Sequence, residues 1–166
     1  MSTNTKECLH RQLTRARAFT EKLLSDFHTP EEWTHQVHKN ANHALWFAGH
    51  MAIVDNFFVS VLDPSRVARR PELEEHFGMG STPVADPAAY PSPEEVLTLM
   101  RERRATLMEI FNDLSEDQLA EPTPPQFKDL FATKGGVFEL AVWHEGLHSG
   151  QVSVARRAIG NSPVLG

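Results

Sequence analysis

Residues 133–160 read TKGGVFELAVWHEGLHSGQVSVARRAIG, and this stretch decides how the rest of the chain is read. Thr133 can cap the start of a helix and Gly160 can end one, so a single helix is predicted from about Lys134 to Ile159. Val137, Leu140, His144, His148, Gln151 and Ala155 recur along it at steps of three and four, which places them on one face. His144 and His148 stand four residues apart, so both imidazoles project from the same side of the helix. That spacing is the standard helical clamp for a metal ion.

Working upstream, three more long helical segments emerge. Leu9, Leu13, Ala16, Thr20, Leu23 and Phe27 form an amphipathic stripe from about Thr5 to Phe27. Thr29-Pro30-Glu31-Glu32 then has the order of a helix start, and the helix it opens is short because the apolar pattern lapses by His38. A second long segment spans about Ala41 to Leu62, with Phe47, His50, Val54, Phe57 and Val61 on one stripe and His43 one step back. Asn42 is read there as a helix cap, and Asp63-Pro64 as the stop. Residues 63–92 read as a long connection rich in proline and glycine, the kind of loop that often lies over a functional site. Ser92-Pro93-Glu94-Glu95 is a capping box for a third long helix carrying Val96, Leu99, Arg103, Leu107, Ile110 and Leu114. With no alternating strand pattern, the fold expected is all-α: an up-down four-helix bundle forming one domain over residues 1–166.

Composition narrows the functional classes. The 166 residues carry a formal net charge of -6, which argues against nonspecific nucleic-acid binding. The local basic cluster Arg66, Arg69 and Arg70 has no interleaved aromatic to stack on bases, and reads as a solvated loop. Cys8 is the only cysteine, so no intramolecular disulfide can form; it reads as a small buried hydrophobe. No stretch approaches the ~20 apolar residues that span a bilayer, and the polar segment Met1 to Arg17 has no signal-peptide centre. A cytoplasmic protein is expected, without a membrane or nucleic-acid partner.

His50 shares the character of the clamp: an imidazole on an apolar stripe. A lone histidine in that setting is more often a hydrogen-bonded core residue than a ligand. Three of them in one core are costly unless something satisfies them together, and a divalent metal does so. His50, His144 and His148 are therefore the candidate ligands, provided that helix register brings His50 level with the pair. Three protein nitrogens leave a coordination position open, as in catalytic rather than structural zinc sites. Zinc, nickel and ferrous iron all accept imidazole, with zinc slightly favoured.

His144-Glu145-x-x-His148 also matches the zinc-protease pattern H-E-x-x-H. That reading fails because no acidic residue follows His148 to supply the third ligand. Glu145-x-x-His148 resembles half of a di-iron carboxylate site, yet the Ala41–Leu62 segment holds no glutamate to complete it. Glu145 is left as a residue that orients a water or supports a ligand, or else as a solvated helix glutamate. Gln151 reads either as a partner for a ligand or imidazole, or as a core-edge glutamine. Arg103 interrupts an apolar stripe: it would receive an anionic substrate group or snorkel to solvent. Trp46 and Trp143 read as packing residues, and Gly49 and Gly146 as points of close helix approach.

Asn42-x-x-x-Trp46-x-x-Gly49-His50, His144-x-x-x-His148-x-Gly150-Gln151 and Arg156-Arg157-x-x-Gly160-x-x-Pro163 together resemble the DinB/YfiT-like superfamily. The resemblance implies a four-helix bundle, often a homodimer, with His50, His144 and His148 as ligands to one divalent metal. Characterised relatives include mycothiol-dependent maleylpyruvate isomerases, bacillithiol transferases and a domain of ergothioneine-forming sulfoxide synthases. In these the metal activates a low-molecular-weight thiol. The function expected is therefore a metal-dependent thiol S-transferase acting on a small electrophile. The alternatives are a non-enzymatic, stress-associated metal- or partner-binding bundle, and a metal-dependent hydrolase using Glu145 as base.

Overall fold

A computed structural model of the chain describes residues 4–164; the ends of the expected 1–166 domain lie outside them. The described residues are all-helical, with no strand among them. The helices are α1 (Thr5–Leu24), α2 (Pro30–Trp33), α3 (Ala44–Leu62), α4 (Pro71–Phe77), α5 (Pro93–Asp113), α6 (Glu116–Leu119) and α7 (Lys134–Ala158). Capping chemistry sets most of their starts. Thr29 and Ser92 each form a full capping box, with Glu32 and Glu95 returning the bond, and Thr133 accepts from the Gly136 amide.

Contacts along the long helices reveal their directions. Arg17 meets Glu145, Thr20 meets Ser149 and Asp26 meets Arg156, so α1 and α7 run parallel. Asn42 meets Gln151, His50 meets His144 and Phe58 meets Phe131, so α3 runs against α7. Buried residues group the same way. One apolar cluster joins Leu23, Phe47, Met51, Met100 and Val152; the other joins Leu13, Phe58, Leu107, Phe111 and Phe138. α3 and α5 thus run parallel to each other, which departs from a strictly alternating up-down order. The connection 63–92 makes this possible: its 30 residues return the chain along the length of α3. It is also more structured than a loop, since it contains α4 and two 3₁₀ turns. Asn56 pins its start by exchanging two hydrogen bonds of 2.9 Å with the backbone of Ala68.

α3 is buried almost all round, its neighbours including α4, α5 and α7. The predicted stripe on it is therefore too narrow: Ala48, Met51 and Ala52 are as buried as Phe47, while Phe57 lies at the surface. By length and composition α3 could cross a membrane, contrary to the expectation that no such stretch exists, but 67% of its most apolar window is buried inside the protein.

Between the two apolar clusters lie four charges, one from each long helix: Asp55, Arg104 and Glu145 are buried and Arg17 partly so. Arg104 Nε and Nη2 donate to Asp55 at 2.9 and 3.0 Å, and Arg104 Nη2 also lies 2.8 Å from Glu145 Oε2. Arg17 Nε donates to Glu145 Oε1 at 2.7 Å and its Nη2 to Asp55 Oδ2 at 3.0 Å. Two carboxylates and two guanidiniums make the cluster neutral. Burial alone would lower the Arg104 pKa, but the Asp55 and Glu145 carboxylates outweigh it and hold the group above its ordinary value. Arg104→Met leaves two buried carboxylates facing one cation, and is expected to cost about 3–5 kcal/mol; urea denaturation of the variant measures it.

Candidate metal centre

The site is built from the start of α3 upward. His43, not Asn42, is the helix cap: its Nδ1 accepts the Trp46 amide at 3.1 Å, and its Nε2–H donates to the Val84 carbonyl at 3.1 Å. Fully buried, His43 ties the long connection to the helix that carries His50. Two turns on, the His50 ring stacks on Trp46 with centroids 4.4 Å apart. Trp46 is fixed in turn by its indole N–H, which donates to Ser81 Oγ at 2.9 Å. Gly49 packs beneath the Phe77 ring, and any Cβ there would collide with it. This close approach brings the Phe77 carbonyl within 2.7 Å of His50 Nδ1.

On α7 the clamp sits at the border of the buried face. His148 is buried and His144 half-buried. His148 Nδ1 lies 2.8 Å from Gln151 Oε1, which also accepts from Asn42 Nδ2 at 3.0 Å. Each of these carbonyl-type acceptors requires a proton on Nδ1, so His50 and His148 turn bare Nε2 atoms toward the common centre. His144 completes the group, and one nitrogen from each of the three rings lies within 4.8 Å of the other two.

Two observations test whether a metal fits. His50 Nε2 and His144 Nε2 are 3.3 Å apart. Tetrahedral zinc with Zn–N of about 2.0–2.1 Å needs its nitrogens about 3.3–3.4 Å apart. All three imidazoles are also held neutral, the form that ligates. Burial lowers the pKa values of His50 and His144 to about 4, and His148 is shifted in the same direction, again mainly by burial. The Nε2 lone pairs of His50 and His148 face the same point as the His144 ring, and a cation there satisfies all three at once. The three histidines fit a divalent ion.

The other expected site residues are placed differently. Glu145 is neither solvated nor aimed at the histidines; it is fully buried and bound to Arg17 and Arg104. Arg103 donates to the Arg66 carbonyl, beyond the end of α3 remote from His50, and its neighbour Arg104 takes the interior position. Gln151 does meet an imidazole. Gly146 has open space around it rather than a neighbouring helix, Trp143 is 61% exposed, and Cys8 is only half-buried. Sequence reasoning missed the Phe77 carbonyl, which no side-chain pattern can announce. It also missed Asp55, although an aspartate within an otherwise uncharged apolar helix was a visible signal.

The fold and the site define an all-helical protein with a three-histidine centre suited to a metal ion. The sequence profile of the DinB superfamily matches residues 12–152, a span that holds all three histidines, and the chain belongs to that superfamily. The Arg156–Pro163 block lies beyond the match. Among solved structures the chain is similar to the crystal structure of a conserved protein from Enterococcus faecalis, with a TM-score of 0.74 and 19% identity over 96% of this chain and 100% of that one. At that identity the likeness concerns the fold. No curated protein matches the chain.

Two outcomes are expected of the residues around the histidines. Gln151→Ala frees the His148 ring and weakens metal affinity about 10–100-fold, measurable by competition with a chromophoric chelator. His43, lowered to about 4 by burial, stays neutral in the fold while the unfolded chain takes up its proton near the ordinary value of 6.5. Stability of the chelator-treated protein should therefore fall as pH drops from about 6.5 to 4. His43→Asn, which keeps a capping side chain, should flatten that slope by about one proton in urea titrations across the window.

Proposed function

We propose that this chain is a divalent-metal-dependent thiol S-transferase, joining a low-molecular-weight thiol to a small electrophile. The observation that carries the reading is the convergence of three imidazoles with no fourth histidine, cysteine, aspartate or glutamate beside them among the described residues. A site completed by three protein nitrogens leaves a position for an outside ligand. A divalent ion held there supplies Lewis acidity, which makes a thiol nucleophilic at neutral pH. Zinc suits both imidazole and a soft sulfur ligand and is favoured over nickel or iron.

The chain's own residues do the positioning. The Phe77 carbonyl and Gln151 fix two of the rings, and Trp46 stacks on one of them to exclude water from that side. The reading takes residues 1–166 as one four-helix-bundle domain, with the connection 63–92 roofing the centre. A cytoplasmic setting suits it, because small thiols are kept reduced there. The hydrolase alternative loses its base, since both Glu145 oxygens face guanidinium groups. Arg103 no longer serves as the residue receiving an anionic substrate.

The test is metal content by emission spectroscopy on tag-free protein, beside a His148→Ala variant. About one ion per chain, lost in the variant, is expected. Conjugation of a small thiol to a model electrophile should then require the ion and stop on chelation. No ion after supplementation overturns the metal centre. An ion without conjugation leaves a metal-binding bundle that is not a transferase.

A further inference from the structure

His50 and His148 are oriented by acceptors of different kinds, and the difference gives Asn42 a task. The acceptor for the His50 Nδ1–H is the Phe77 carbonyl, 2.7 Å away. A main-chain carbonyl only accepts, so the backbone itself keeps that proton on Nδ1. The acceptor for the His148 Nδ1–H, 2.8 Å away, is the side chain of Gln151, which is exposed on α7. A carboxamide has two ends of similar shape and opposite polarity: an oxygen with two lone pairs and a nitrogen with two protons. Either end can serve two neighbours at once. With Oε1 inward, His148 carries its proton on Nδ1 and turns a bare Nε2 to the centre. With Nε2 inward, Gln151 donates to Nδ1, the ring proton resides on Nε2, and His148 cannot ligate.

The second neighbour of that amide separates the two arrangements. Asn42 Nδ2 donates at 3.0 Å to Gln151 Oε1, the same oxygen that accepts from His148. Among the described residues the Gln151 side chain has no other hydrogen-bond partner. Asn42 stands half-buried just before the His43 cap, and its side chain makes no capping bond to α3. Only a donor at position 42 is compatible with oxygen in that place.

We propose that Asn42 is a positioning residue for the metal centre: its amide holds the Gln151 oxygen on His148, and thereby holds His148 in the tautomer that binds an ion. The inference rests on reading His50, His144 and His148 as the ligands. The chain Asn42, Gln151, His148 also ties a ring on α7 to the segment that leads into α3, the helix that carries His50.

Polarity distinguishes this role from packing, because two nearly isosteric exchanges have opposite outcomes. Asn42→Asp replaces the donor with a carboxylate that repels Gln151 Oε1; the amide turns over and donates to both neighbours. Gln151→Glu keeps an acceptor for both. A negative charge near a bound cation would by itself tighten binding, so a loss on Asn42→Asp has the sign that only the relay gives.

Two measurements on the full chain test the proposal, the first of them on metal-free protein. At neutral pH, where burial keeps the His148 ring uncharged, long-range proton–nitrogen correlation spectra of labelled protein read its tautomer. Nδ1–H is expected in the wild type and in Gln151→Glu, and Nε2–H in Asn42→Asp. Zinc affinity, measured by competition with a chromophoric chelator, should fall several-fold in Asn42→Ala and about tenfold or more in Asn42→Asp. It should be kept or tightened in Gln151→Glu, with circular dichroism unchanged in all three. Nε2–H in the wild type overturns the proposal, as does Nδ1–H in Asn42→Asp. So does an Asn42→Asp variant that binds zinc as tightly as Asn42→Ala. A wild-type protein that takes up no zinc overturns the metal centre, and the tautomer pattern still decides whether Asn42 orients His148.

Discussion

Asp55 and Glu145 are buried carboxylates in a protein core, and the packing of the long helices is arranged around keeping them paired. Each is shared by Arg17 and Arg104, so the four charges link α1, α3, α5 and α7 at one level. Apolar packing tolerates small rotations and slips of a helix; hydrogen-bonded charges far less. A slip of one residue in any of the four would strand a charge away from water, at a cost of several kcal/mol. The cluster therefore acts as a register pin. Its neutrality also matters, because the histidine centre beside it can accept a doubly charged ion without meeting an unbalanced neighbour.

The register so fixed has a direct product. Glu145 adjoins His144 in sequence, and Asp55 lies five residues beyond His50. Pinning Glu145 and Asp55 to the same two arginines fixes the height at which the two histidine-bearing helices meet. His50 comes level with the clamp for this reason, and the apolar contacts on either side then fill in around it.

Much of this was legible in the sequence, and the misreadings share a cause. Caps announce themselves locally, so Thr29, Ser92 and Thr133 marked helix starts correctly. The three histidines stood out because imidazoles on apolar stripes need a shared explanation. The inward face of α7 was harder. Its interior carries Glu145, Ser149 and Arg156, while its surface carries Trp143, Leu147 and Val154, so polarity misassigns both sides. The same inversion made Arg103 rather than Arg104 look like the inward arginine. The parallel run of α3 and α5 left no local mark beyond the length of the connection between them, since direction is decided by contacts far apart in the chain. His43 could be seen but not explained until its partner, the Val84 carbonyl, was in place.

The connection over the site has a kinetic meaning. Ser81 and Val84 hold Trp46 and His43 through single hydrogen bonds, whereas Phe77 adds to its bond with His50 a ring fully buried in one of the two apolar clusters. The stretch after Phe77, residues 78–84, can therefore open at smaller free-energy cost than global unfolding. When it opens, the Trp46 indole loses its anchor, while the buried Phe77 keeps the acceptor of the His50 ring in place. Access to the histidines from that side is thereby separated from unfolding, since residues 78–84 can move while the packed helices stay together.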